Sequence, residues 1–147
     1  MGDAARDART APAVEILGID HVVLRVSDVA RSIAFYCDVL GCKVERRQED
    51  FGLIQLRAGG SLIDLVEIAG KLGRLGGAPP GEEGRNMDHF ALRVATLDPD
   101  AIRGKLAAHG ITAGEVVQRY GAEGRGPSLY VRDPDGNTVE LKGPSRD

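Results

Sequence analysis

Two of the three histidines in this sequence sit in the same phrase. Residues 19–26 read IDHVVLRV and residues 87–94 read MDHFALRV, so that Asp, His, Leu, Arg and Val recur in register 68 residues apart. Two imidazoles at matching places of a repeat suit a shared task, and metal ligation is one that imidazole serves well. A second repeated pattern supplies oxygens. Ile-Asp-Leu at 63–65 and Val-Glu-Leu at 139–141 each set an acid between apolar neighbours. An acid in mid-strand is costly to bury unless it is paired or bound to a cation. His21, Asp64, His89 and Glu140 are therefore the candidate metal ligands. Glu67 lies close to Asp64 but has the opposite strand parity. Imidazole with carboxylate suits Ni, Zn, Co, Mn or Fe(II), and four or fewer protein ligands leave positions for water or substrate.

The elements around these residues must place them on one side of a sheet. Side chains alternate along a strand. His21, Val23 and Arg25 thus share a face, opposite the apolar Val22, Leu24 and Val26; His89, Ala91 and Arg93 repeat the arrangement opposite Phe90, Leu92 and Val94. A helix is expected after each phrase. In DVARSIAFYCDVLG, Asp28 caps, Val29, Ile33, Tyr36 and Leu40 fall at helical spacing, and Gly41 stops; in DPDAIRGKLAAHG, Asp98 caps, Pro99 fits the first turn, and Gly110 stops. Three strands are expected after each helix: CKVERRQ, GLIQLRA and SLIDLVEI, then GEVVQR, PSLYVRD and NTVELK, with DPDG at 133–136 as a hairpin turn. The fold class is therefore α+β, built from two βαβββ units. Module one spans 16–70 and module two 87–143, within a single domain over 15–143. The Gly- and Pro-rich stretch 71–86 reads as a linker. The linker and YGAEGRG at 120–126 both look like flexible loops that would carry specificity.

Other polar residues read less sharply. Arg25 and Arg93 lie on the histidine face, where they would hold an anionic substrate or form strand-end ion pairs. Tyr120 and Tyr130 either line a pocket or belong to the core or rim. His109, in AAHG, suits the carboxyl end of a helix. Cys37 and Cys42 form neither a disulfide framework nor a CxxC motif, and are expected as reduced thiols in a cytoplasmic protein. The 147 residues carry 42% hydrophobic and 28% charged side chains with a net charge of −3. Such a chain has no basic footprint for nucleic acid or an anionic membrane, and no apolar run long enough for a transmembrane helix. Residues 1–14, small and charged, are expected to form a flexible tail and not a signal peptide.

The stretches IDHVVLRVSDVARSIAFYCDVLG, MDHFALRV and RDPDGNTVEL resemble the vicinal oxygen chelate superfamily of glyoxalases, bleomycin resistance proteins and dioxygenases, over about residues 16–143. The resemblance implies paired βαβββ modules forming an open, barrel-like sheet around one divalent metal, with His21, Asp64, His89 and Glu140 at the ligand positions. It implies a homodimer, since family members commonly pair and some build each site from two subunits. In glyoxalase I the metal acts as a Lewis acid and a ligand glutamate shuttles the proton, which gives that role to Glu140. Arg25 matches a position that contacts glutathione there. Asp64 stands where a glutamate is usual, and Ile68 where an asparagine is expected. The overall likeness is to glyoxalase-domain proteins of unassigned substrate. It implies a metal-dependent lyase or isomerase of the lactoylglutathione lyase type, acting on a small oxygenated substrate. The alternatives are an Fe(II) extradiol-type dioxygenase, a thiol transferase resembling fosfomycin resistance proteins, and a non-catalytic drug-binding protein.

Overall fold

A computed structural model describes residues 10–145. The chain runs β1 (His21–Val26), α1 (Val29–Ile33), β2 (Lys43–Gln48), β3 (Leu53–Ala58), β4 (Ser61–Glu67), β5 (Phe90–Arg93), α2 (Pro99–Ala107), β6 (Val117–Gly121), β7 (Gly124–Arg132) and β8 (Thr138–Lys142). The strands form two four-stranded sheets of the same order, β1-β4-β3-β2 and β5-β8-β7-β6, and neither sheet closes on itself. In each sheet the first strand pairs parallel with the last, and the remaining ladders are antiparallel. The expected pair of βαβββ modules is thus present. The proposed tail, 1–14, falls mostly outside the described residues. Among the described residues no helix is long and apolar enough to cross a membrane.

Alternation does the sorting. Leu24 and Val26 of β1, Ile63 and Leu65 of β4, Val139 and Leu141 of β8, and Leu129 and Val131 of β7 all point to one core, where they meet Phe35, Tyr36 and Leu106. Their strand neighbours, including both histidines and both acids, turn to the opposite faces. Asp28 caps α1 by accepting from the Arg31 amide at 3.1 Å, and Asp98 caps α2 by accepting from Ala101 at 3.2 Å.

The first helix departs from the expected regular run to Gly41. After Ile33 it widens into a π-helix, Ala34–Val39, in which the Leu40 amide donates to the Phe35 carbonyl at 3.2 Å. The wider turn lets two successive aromatic residues enter the core. Phe35 and Tyr36 are both buried and meet edge to face, with ring centres 4.9 Å apart.

Three further differences bear on the site. YGAEGRG is not a loop: Gly121 and Gly124 are ladder partners closing the β6–β7 hairpin. Its glycines mimic a loop in the sequence, but Gly121 leaves room for the Lys142 side chain, which a Cβ there would meet at 3.3 Å. The strand expected over GEVVQR starts later, at Val117. The linker is anchored, as Arg25 donates to the carbonyls of Gly73, Gly76, Gly77 and Ala78 at 2.8–3.1 Å.

The modules are joined at the turn after β7. Tyr36 donates its hydroxyl to Asp133 at 2.6 Å, the Ser27 hydroxyl donates to Asp135 at 2.6 Å, and Asn86 donates to Asn137 and to the Arg25 carbonyl at 3.1 Å each. Gly136, with φ of 83°, makes the bend possible.

Candidate metal centre

Register decides which ligand candidates can meet. In module two Ala91 lies opposite Glu140, so His89, two residues earlier, is a diagonal neighbour on the same face. In module one Val23 lies opposite Asp64, which makes His21 the matching diagonal neighbour. The acids are sequestered and the histidines are accessible. Asp64 and Glu140 are 5% and 7% exposed, whereas the imidazoles of His21 and His89 are 45% and 34% exposed.

The module-two pair has the spacing of two ligands. His89 Nε2 lies 3.3 Å from Glu140 Oε1. Ligand bonds of about 2.1 Å put adjacent donors about 3.0–3.4 Å apart in octahedral or tetrahedral geometry. The far ring nitrogen is already engaged, with His89 Nδ1 lying 2.6 Å from Asp88 Oδ2. An ionised carboxylate has no proton to give, so Nδ1 carries the hydrogen, and Nε2 is left facing Glu140, where a cation or a second proton must lie between the two. His21 Nδ1 is held likewise by Asp20 at 2.8 Å. This is the carboxylate–histidine arrangement that orients imidazoles for metals. The aspartate preceding each histidine was visible in the repeated phrase, but its orienting role was not read from it. The Asp20 hydrogen bond, supported by the Asp64 charge, raises the His21 pKa above its ordinary 6.5.

The two acids are held differently. Glu140 Oε2 accepts from the buried Ser128 hydroxyl at 2.9 Å, and Ser128 accepts from Arg119 at 2.9 Å. Asp64 accepts from the Gln55 amide, at 3.3 Å to each oxygen. Tyr130, opposite Glu140 in the ladder, sets its ring edge-on to His89 at 5.5 Å between centres, and the Arg119 guanidinium lies 4.2 Å from the Tyr130 ring centre. Sequence reasoning missed Ser128, Gln55 and Arg119; strand parity relative to Glu140 and Asp64 would have flagged Ser128 and Gln55.

The quartet does not meet within one chain. The structure brings together His21 with Asp64, and His89 with Glu140, as two half-sites. Among the described residues no three His, Cys, Asp or Glu side chains gather closely enough to hold an ion. Of the residues expected to touch substrate, Tyr130 belongs to the module-two half-site, and Arg93 pairs with Glu123 at 3.1 Å on the same sheet. The four carbonyl bonds described above turn Arg25 toward the linker. His109 follows the end of α2 and, with His89, Tyr130, Arg31 and Arg132, lines a cavity of about 1000 Å³. Tyr120 is exposed.

Residues 18–141 match the profile of the Glyoxalase/Bleomycin resistance protein/Dioxygenase superfamily. The chain belongs to this superfamily. It is 36% identical over 129 residues to a virulence protein of Salmonella typhimurium, covering 84% of this chain and 81% of that one. The crystal structure of that protein superposes with a TM-score of 0.68, covering 90% of this chain and all of the other. A probable lactoylglutathione lyase of Synechocystis is 30% identical over 126 residues, covering 82% of this chain and 91% of its own length. The fosfomycin resistance protein FosX of Listeria monocytogenes, solved with Mn(II) and sulfate, shares the fold at a TM-score of 0.65 and 20% identity, covering 90% of this chain and 94% of FosX.

Proposed function

We propose that this protein is a metal-dependent lyase or isomerase of the glyoxalase type. Its substrate is a small molecule with two adjacent oxygens, and His21, Asp64, His89 and Glu140 hold one divalent ion. The observation that carries this reading is the module-two pair: two donor atoms at ligand spacing, an imidazole held at Nδ1 by Asp88, and a cavity of substrate size lined by His89 and Tyr130. Nickel, zinc, cobalt, manganese and iron all suit this donor set. When bound, the ion would polarise the substrate's oxygens as a Lewis acid.

The chain's own residues account for the rest. Glu140 has the longer reach of the two acids, and its carboxylate, oriented by Ser128 at Oε2, would take and return the proton. Tyr130 packs beside His89 and offers a wall for the substrate, while Arg93, ion-paired with Glu123, lies on the same face. The half-sites complete each other in a homodimer, with His21 and Asp64 of one copy facing His89 and Glu140 of the other. Val14, Ile16, Leu17, Ile19 and Val23 support this arrangement: they lie exposed on and just before the strand that carries His21, with Leu17 at 94% exposure, and a second copy would cover them.

Elemental analysis of protein purified without chelators or a histidine tag tests the metal, and lactate-thioester formation from methylglyoxal and a low-molecular-weight thiol tests the reaction. Near-stoichiometric metal lost in His89→Ala and Glu140→Ala, together with turnover, is expected. A wild type that takes up no supplied metal overturns the reading, and metal without turnover with any thiol overturns the reaction.

A further inference from the structure

The buried acid of module two is the end of a directed chain. Arginine has only donors, so Ser128 must accept from Arg119 at 2.9 Å. The serine hydroxyl has a single proton, and it goes to Glu140 Oε2 at 2.9 Å. That leaves Oε1 turned to His89 Nε2 at 3.3 Å. The same guanidinium lies 4.2 Å from the centre of the Tyr130 ring, and that ring stands edge-on to the His89 imidazole. One side chain therefore reaches both members of the half-site by two separate routes. In module one the hydrogen bonds to Asp64 among the described residues come from a neutral amide, Gln55.

We propose that Arg119 is the positioning residue of the module-two half-site, fixing the Glu140 carboxylate through Ser128 and the His89 ring through Tyr130. The inference rests on the metal-binding reading above for its consequence, but not for its geometry. Lysine would keep the charge, yet its single ammonium cannot lie over the ring and hold the hydroxyl in the same fork. Arg119 is half-buried, on an edge strand, so its replacement leaves the core untouched.

The test uses full-length, chelator-stripped protein carrying Arg119→Leu, Arg119→Lys, Ser128→Ala, or Arg119→Leu with Ser128→Ala. Mn(II) alone is titrated in, with free ion followed by electron paramagnetic resonance. The Tyr130 ring protons and the His89 Cε1 proton are followed by NMR without metal. Arg119→Leu and Ser128→Ala should each weaken Mn(II) binding about tenfold or more, as loss of groups that orient ligands does. The double variant should fall short of the summed effect, because both changes cut the path through Ser128. Arg119→Lys should recover only a minor part. The Tyr130 and His89 resonances should move in both Arg119 variants. Mn(II) binding within twofold of wild type in Arg119→Leu, or unmoved resonances, overturns the proposal. If the wild type binds no Mn(II), the metal reading fails, and the resonances still decide for or against Arg119.

Discussion

His89 shows how much of the proposed metal centre depends on atoms that would not be ligands. Its Nε2 is available because Asp88 holds Nδ1, and His21 has the same support from Asp20. Replacing Asp20 with Asn removes the largest cause of the raised His21 pKa, so the His21 titration should move down toward 6.5 in metal-free protein, as read by NMR of its Cε1 proton. The sign for stability follows. A histidine whose pKa is higher in the folded state stabilises the fold below about pH 6.5, and that contribution is lost as the pH rises through the raised value. The Asn variant should therefore be slightly less stable than wild type at pH 5–6 and equal to it at pH 8; an unchanged His21 titration would refute the assignment. The thiols follow burial. Cys42 is pushed up to about 11 by desolvation, and Cys37 is raised for the same reason. Iodoacetamide at pH 7.5 should leave Cys42 unmodified until the protein is unfolded. The ligand candidates were legible because type and position repeat together. Ser128 needed the strand pairing as well as its parity, and Arg119 was not legible, because an arginine in an edge strand is what any solvated sheet face would show.

At the scale of elements, strands and caps were readable because period-two alternation and capping residues are local signals, and the π-turn was not. Ala34–Val39 has ordinary helical spacing, and its widening answers to the core, where Phe35 and Tyr36 both need space. Tyr36 also spans the modules through Asp133. Tyr36→Phe should cost about 1–3 kcal/mol in urea unfolding, because it removes the hydrogen bond to a buried carboxylate. Burial, with the Asp133 charge beside it, pushes the Tyr36 pKa well above its ordinary 10. The folded state thus keeps a proton that the unfolded chain releases above about pH 10, and wild-type stability should fall steadily from there. Tyr36→Phe should lose most of that alkaline slope; an unchanged slope would place its source elsewhere. The linker teaches the same lesson. Its glycines look mobile, yet four carbonyls converge on Arg25. Arg25→Leu should speed amide hydrogen exchange across residues 72–78 at least tenfold while β4 keeps its protection, and equal exchange would show that the linker holds itself.

The whole molecule poses a question that repeat logic cannot answer. Pseudo-symmetry says that two half-sites belong together, but it is silent on whether they belong to the same chain. Here each module completes a pair, His21 with Asp64 and His89 with Glu140, and within the described residues the pairs do not merge. Exposed apolar residues beside His21 argue for a second copy as the missing partner. The arrangement makes a prediction that a single-chain site does not share. Take His21→Ala with Asp64→Asn as one double variant, and His89→Ala with Glu140→Gln as the other. Each alone should bind no metal. When the two are unfolded together and refolded, a mixed dimer places both sets of changes in one site and leaves the other intact. Random pairing should then restore about a quarter of the wild-type metal and activity. Tagging the two chains differently and isolating the mixed dimer should raise that to about half. A mixture that stays empty while dimers demonstrably exchange would mean that the half-sites close within one chain, through a movement of one sheet against the other.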